Sequence, residues 1–288
     1  MTALHSTRAL GEMLPEVLAV AREAGALVMR GYRSPASVVH KKGAIDLVTE
    51  YDLASEAHVA KRLTELFPDI GIVGEEGLVR TVAASPDALT FFVDPIDGTT
   101  NFAHGHPFFA VSLGLCRGGE PLLGVLVAPA LGLEWTGIVG VGTRRNGEPC
   151  SVSSRASLQD ALCATGFGYS VVGEQDDNVE EFAEVQRHVR GLRRCGSAAL
   201  DLALVADGTY DAYWEFLLQP WDMAAGAALV QGAGGQVSAF DGGPVDVRTG
   251  ACLASNGAVH APLAALVSKV RAGRPVPLRP LASSGSNG

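Results

Sequence analysis

Residues 91–101 read Phe91-Phe92-Val93-Asp94-Pro95-Ile96-Asp97-Gly98-Thr99-Thr100-Asn101. An apolar run leads into two aspartates three positions apart, with Pro95 between them and Gly98 after them. The run predicts a short strand over Thr90–Val93, and Pro95 is expected to end it while holding Asp94 extended. Asp94 and Asp97 would then meet on the turn at the strand's carboxyl end. Two hard carboxylates placed there can share or divide divalent cations. Gly98 lets backbone pass close to a ligand, and a helix starting at Thr99 would aim its free N–H groups at a phosphate. Without that chemistry the same residues make an Asx-turn and a helix cap.

Working outward, Leu14, Val17, Leu18, Ala21, Gly25 and Val28 recur at helical spacing and predict an amphipathic helix over 12–30. A second helix is expected from Asp52 to Phe67, with Leu53, Ala57, Ala60, Leu63 and Phe67 on one face. Pro68 stops it and Asp52 stands where an N-cap would. Val38–Val48 suits a hairpin or loop, and Ile70–Val73 a strand. Phe108–Leu115 and Leu122–Val127 flank the turn Arg117-Gly118-Gly119-Glu120, a hairpin pattern, and Glu134–Val141 adds another strand. Beyond them, helices are expected near Asn178–Val189, Ser197–Ala206, Met223–Ala233 and Ala264–Val270, with a strand at Asp211–Trp214. Strands and helices interleave in both halves, which favours an α/β or α+β architecture. Gly, Asn, Pro and Ser cluster over 142–155 and suggest two parts, 1–145 and 146–270. The Pro-rich, Ser/Gly-rich stretch 271–288 reads as a flexible tail.

Two further acidic elements sit at comparable places. Gly74-Glu75-Glu76-Gly77 follows the strand at 70–73. Its glutamates point differently, so one can meet a metal while the other orients water, although surface Glu-Glu pairs are common. Pro220-Trp221-Asp222 opens the small-residue helix, where Asp222 can be an N-cap or a ligand. Glu215, beside Trp214, is near enough in sequence to reach the same cavity. Oxygen donors without a Cys/His cluster favour Mg²⁺ over Zn²⁺, and paired metal ions make phosphate-ester hydrolysis a natural chemistry.

Composition limits the alternatives. The 288 residues carry 22 Lys and Arg against 31 Asp and Glu, a formal charge of −9. No broad cationic footprint is available for nucleic acid. The longest weakly polar stretch, Met223–Phe240, is broken by Gln231, Gln236, Ser238 and glycines, so no membrane span is expected. Five scattered cysteines without a CxxC pair point to thiols in a reducing compartment, and no signal peptide is evident, so a cytoplasmic location is expected.

Gly74-Glu75-Glu76, Asp94-Pro95-Ile96-Asp97-Gly98-Thr99-Thr100-Asn101-Phe102 and Trp221-Asp222-Met223-Ala224-Ala225-Gly226, in that order and spacing, closely resemble the inositol monophosphatase family over about 13–268. The resemblance implies a layered α-β-α-β-α sandwich, shared with the fructose bisphosphatase fold. It also implies a homodimer and Mg²⁺-dependent, often Li⁺-inhibited hydrolysis of a small phosphomonoester. Carried over residue by residue, it makes Glu75, Asp94 and the Ile96 carbonyl ligands of one metal ion and Asp94, Asp97 and Asp222 ligands of a second. Glu75 also helps hold a third, weaker ion. Thr99 and Asp52 resemble the pair that orients and activates the attacking water, with Glu75 helping to position it. Gly98 and Thr99 N–H groups meet the phosphate, Gly196-Ser197-Ala198 and Glu215 contact substrate hydroxyls, and Lys41 lies near the entrance. Where the family often has Glu-Ala-Gly-Gly after the last active-site helix, this chain has Gly232-Ala233-Gly234-Gly235. Phe216 and Gln219 leave the sugar end open. Inositol monophosphate is the leading substrate, with histidinol phosphate, fructose bisphosphate or another sugar phosphate behind it. A metal-dependent regulatory protein without turnover is the reading from a different class.

Overall fold

The structure, a computed structural model, describes residues 7–34, 39–41, 47–77, 80–81, 87–168 and 177–271. The chain opens with α1 (Thr7–Val28), which buries Met13, Val17, Val20, Ala21, Ala24 and Val28 along one stripe, starting a turn and a half earlier than its periodicity predicts. β1 (Val39–Lys41) and β2 (Leu47–Thr49) form the expected hairpin. Then come α2 (Glu50–Leu66), β3 (Gly71–Gly74), β4 (Arg80–Thr81), β5 (Leu89–Asp97) and the short α3 (Thr99–Ala103). A meander follows: β6 (Ala110–Arg117), β7 (Glu120–Ala128), β8 (Leu133–Ile138), β9 (Gly142–Arg145) and β10 (Glu148–Cys150). The rest of the chain supplies β11 (Leu162–Thr165), α4 (Val179–Gln186), β12 (Gly191–Arg193), α5 (Ala198–Ala206), β13 (Ala212–Phe216), α6 (Pro220–Gly232), β14 (Gln236–Ser238), β15 (Ala251–Ser255) and α7 (His260–Val270).

Two mixed sheets result. The larger has the order β10-β9-β8-β7-β6-β5-β3-β4 and is antiparallel except where β3 and β5 run parallel. The smaller, β12-β11-β13-β15-β14, is parallel on its β12-β11-β13 side and antiparallel beyond it. Three apolar layers cement them. Helices α1 and α2 pack on the outer face of the large sheet around Val17, Val59, Phe91 and Leu113. Helices α5 and α6 lie between the sheets, with Leu202, Ala224 and Leu229 meeting Phe92, Leu126 and Tyr213. Helices α4 and α7 cover the far face of the small sheet around Val185, Trp214 and Leu263. The order is therefore helix, sheet, helix, sheet, helix. Residues 272–288, assigned above to the tail, lie outside the described residues.

One departure from the sequence reading decides the site. Pro95 does not end the strand: β5 continues to Asp97, and its register against β6 slips between Asp94↔Ser112 and Asp97↔Ala110. Three steps along β5 oppose two along β6, which is a β-bulge. A proline has no N–H to give a ladder, so the bulge is where a strand tolerates one. The bulge falls between Asp94 and Asp97, both of which line the cleft described below.

Candidate active site

Asp97 leads into Gly98, whose φ of 96° places it in the left-handed region. A Cβ at that position would stand 3.1 Å from the Phe108 carbonyl and 3.2 Å from the Gly196 carbonyl, so both the turn and the close approach require glycine. The next residue, Thr99, places its hydroxyl 2.9 Å from Asp52 Oδ1 and 3.0 Å from the Ile96 carbonyl, and its proton serves one of them at a time. Asp52 is fully buried. It is the third residue of α2, and the N-cap is Thr49, not Asp52 as sequence position alone suggested. The other carboxylate oxygen, Oδ2, accepts from the Thr49 N–H at 2.8 Å and the Thr49 hydroxyl at 2.5 Å, while the Thr49 hydroxyl accepts from Tyr51 N–H. This capping box fixes Asp52 before it touches the site. Burial pushes its carboxyl up to about 6, against the opposing pull of the Thr49 and Thr99 hydrogen bonds.

The Glu75 loop is held from beneath. Glu56, buried on α2, accepts the Glu76 N–H at 2.7 Å. Its carboxyl carbon would lie 2.3 Å from a Cβ on Gly74, so a larger residue there would have to displace the Glu56 carboxylate from the Glu76 N–H. The Glu75 N–H donates to the Val93 carbonyl at 3.2 Å, setting the loop beside the end of β5.

The C-terminal half closes the opposite wall. The Asn101 amide nitrogen donates to the Phe108 carbonyl at 2.7 Å and the Cys195 carbonyl at 2.8 Å, tying the α3 region to the loop before α5. Ser197 is the N-cap of α5; its hydroxyl and the Ala199 N–H both donate to Asp97 Oδ2, the latter at 2.8 Å. Burial raises the Asp97 carboxyl to about 6 although these bonds pull it down. On α6, Pro220 occupies the first turn and Asp222 is the third residue, its Oδ2 accepting the Gln219 N–H at 2.7 Å. The hydroxyl of Tyr213 donates to Glu215 at 2.5 Å, and burial raises the Glu215 carboxyl to about 7.

These pieces line one open cleft. Of the residues predicted from sequence, Glu75, Asp94, Ile96, Asp97, Gly98, Thr99, Gly196, Ser197, Ala198, Glu215 and Asp222 all line it. Asp52 stands behind Thr99 and reaches the cleft through that hydroxyl. Lys41 belongs to β1, and its side chain lies outside the described residues. Contributors that carried no role in the sequence reading include Thr49, Tyr213, Glu56, Asn101 and Asp201, the last of which lines the cleft. Asp201 did leave a signal, a charge inside an otherwise apolar helix.

The donor set fits a hard divalent cation. Glu75, Asp94, Asp97, Asp222 and the Ile96 carbonyl offer only oxygen. Burial, then the carboxylates of Glu75, Asp97 and Asp222, holds the Asp94 carboxyl well above its usual range. Among the described residues no three acidic, His or Cys side chains stand in a geometry that already holds one ion. Three of the aspartates accept backbone N–H groups, Asp94 from Ile96 and Asp222 from Gln219 close in sequence, and Asp97 from Ala199 on α5.

Comparison with known proteins agrees with this arrangement. Residues 10–272 match the model of the inositol monophosphatase family. An inositol-1-monophosphatase of Synechocystis sp. is 40% identical over 82% of this chain and 82% of its own length. The protein of Pseudomonas aeruginosa named Nus factor SuhB is 42% identical over 85% of this chain and 91% of its own. The solved inositol monophosphatase from Anabaena superposes with a TM-score of 0.81 at 36% identity, covering 94% of this chain and 98% of that one.

Proposed function

The chain belongs to the inositol monophosphatase family of phosphatases, and from that premise we propose that it hydrolyses a small polyol phosphomonoester, myo-inositol monophosphate first, with Mg²⁺. The observation that carries the reading is the Thr99 hydroxyl, suspended between Asp52 and the Ile96 carbonyl at the edge of a carboxylate-lined cleft. Glu75, Asp94, the Ile96 carbonyl, Asp97 and Asp222 would hold Mg²⁺, which when bound would supply Lewis acidity and offset charge on the ester phosphate.

The protein's own groups do the remaining work. Asp52 engages the Thr99 proton and leaves the Thr99 oxygen facing the cleft as an acceptor. A water that donates to Thr99 and to Glu75 has a lone pair left to aim in line at phosphorus. The N–H groups of Gly98 and Thr99 hold phosphate oxygens as charge moves onto them. Gly196, Ser197, Ala198 and Glu215 receive the alcohol portion, and Lys41 draws the anion to the entrance. Water adds to phosphorus, the ester oxygen leaves with a proton, and the products are inorganic phosphate and the polyol. No covalent phosphoenzyme is required.

The same reading carries inhibition by Li⁺, a homodimer, a cytoplasmic location and division of labour between residues 1–145 and 146–270. The five free thiols are consistent with a reducing compartment, and among the described residues no helix is long and apolar enough to cross a membrane. A second reading, a regulatory protein without turnover, draws on one finding, the relative named Nus factor SuhB. The intact set Glu75, Asp94, Asp97, Thr99 and Asp222 favours the phosphatase. The deciding experiment measures phosphate release from myo-inositol 1-phosphate, histidinol phosphate and fructose 1,6-bisphosphate with Mg²⁺, with EDTA and with added Li⁺. Turnover that needs Mg²⁺ and disappears in Asp94→Asn supports the proposal. Preference for histidinol phosphate would replace the substrate, and no turnover of any ester would move the regulatory reading to the front.

A further inference from the structure

Asp201 is an unusual occupant of its helix. Helix α5 reads Ala198-Ala199-Leu200-Asp201-Leu202-Ala203-Leu204-Val205-Ala206, one charge among eight apolar residues. The residue is only 2% exposed, it lines the cleft, and its Oδ1 has no hydrogen-bond partner among the described residues. Native proteins seldom leave such an oxygen unmatched, because a buried carboxylate oxygen forfeits its water without compensation. The favourable field at a helix N-terminus does not account for it. That field is available to an exposed acid as well, and the capping duty of α5 already belongs to Ser197. A group that gives up stability where it faces a cavity is best explained by what enters the cavity.

Its surroundings say what that is. Glu215 lines the same end of the cleft with the Tyr213 hydroxyl fixed on one of its oxygens, so it cannot swing away. Burial and the charge of Glu215 both raise the Asp201 carboxyl, while Arg194, the one Lys or Arg among the described residues lining the cleft, opposes them. A carboxyl carries at most one proton, so at least one of its oxygens only accepts, and the unmatched Oδ1 calls for a ligand that brings O–H donors. A second phosphate would bring only acceptors and like charge.

Resting on the phosphomonoesterase reading, we propose that Asp201 determines specificity: with Glu215 it accepts hydroxyl hydrogens of a polyol monophosphate and turns away esters that carry a second phosphate.

The test uses the full chain with Mg²⁺ and two variants, Asp201→Ala and Asp201→Asn. Substrates are myo-inositol 1-phosphate, fructose 1,6-bisphosphate and p-nitrophenyl phosphate, which has no hydroxyl to offer. In Asp201→Ala the ratio of kcat/KM for inositol 1-phosphate to that for p-nitrophenyl phosphate should fall about tenfold to a hundredfold, the effect of a lost charge-assisted hydrogen bond. In Asp201→Asn, which removes the charge and keeps an acceptor, the preference for the monophosphate over the bisphosphate should narrow by about fivefold or more. Neither variant should unfold at a lower temperature than the parent, because a buried carboxyl oxygen without a partner has been removed or made easier to satisfy. Equal losses on all three esters, unchanged ratios, or a fall in Tm that tracks the loss of activity would each overturn the role of Asp201. A parent enzyme that hydrolyses none of them overturns the phosphatase reading itself, and this inference with it.

Discussion

The N-termini of α2 and α6 are built alike and used differently. Each carries an aspartate as its third residue, and each aspartate folds back to accept the N–H of the residue before the helix, Thr49 for Asp52 and Gln219 for Asp222. The shared device fixes a carboxylate without outside help. What lies beyond it then separates the two. Asp222 opens directly into the cleft, whereas Asp52 is covered by Thr99 and acts through that hydroxyl. One local pattern thus yields a group that can touch a cation and another that can only steer a neighbour. The difference comes from tertiary packing, which no local reading of either helix start contains.

That contrast is open to attack from both sides. The largest effect is expected from Asp222→Asn, which keeps the cap and weakens the oxygen facing the cleft. Mg²⁺-dependent phosphate release should fall by about 10³-fold or more while Tm stays near the parent value. Asp52→Asn should cost about 10²-fold in kcat with little change in KM, since it disturbs water orientation and not binding. The same variant sharpens the contrast through pH. Burial raises the Asp52 carboxyl from 3.8 in the unfolded chain to about 6 in the folded one. Its proton therefore favours folding below the unfolded value, and that contribution is lost as pH rises through about 6. Metal-free parent protein should show this decline in Tm between pH 4 and about 7, and Asp52→Asn should show less of it. A smaller loss, about 1–3 kcal/mol of unfolding free energy, is expected for Asn101→Ala, which leaves the Phe108 and Cys195 carbonyls without their donor. Urea denaturation would read it. Smallest of all is Arg62→Ala on the outer face of α2: its pairs with Glu23 and Glu65 are screened by solvent, so Tm and activity should both stay at the parent's values. A large effect there would mean that the outer helices are coupled to the cleft.

The legibility of the molecule follows the same division between local and assembled features. Helices α1 and α2 were readable because one face of each is buried and the periodicity survives in the sequence, and the β6–β7 hairpin because two apolar runs flank a Gly-Gly turn. β15, Ala251-Cys252-Leu253-Ala254-Ser255, is buried at every position and has no alternation to find, and the short edge strand β12 presents almost no pattern. The strand through Pro95 was missed because a proline reads as a stop, and only the partner strand reveals the bulge. At the site, the metal-type acids were visible as sharp motifs and by resemblance. Glu56 and Asn101 were not, since each acts on backbone atoms distant in sequence. Glu56 reaches the Glu76 N–H, and Asn101 reaches the Cys195 carbonyl.

Helix α6 lies against the large sheet at backbone distance. A methyl group on Gly124 would fall 2.2 Å from the Ala225 carbonyl oxygen, and one on Gly114 would fall 2.5 Å from the Ala225 nitrogen. Replacing glycine by alanine is an ordinary route to a sturdier protein, giving about 0.4–1 kcal/mol where the backbone permits. In this layer the rule inverts. Two strands serve as a machined seat for the helix, and any thickening of the seat lifts the shaft that carries Asp222 at its tip. An engineer working for heat resistance should leave these glycines alone, because the first thing lost would be alignment at the cleft, well before the fold gave way.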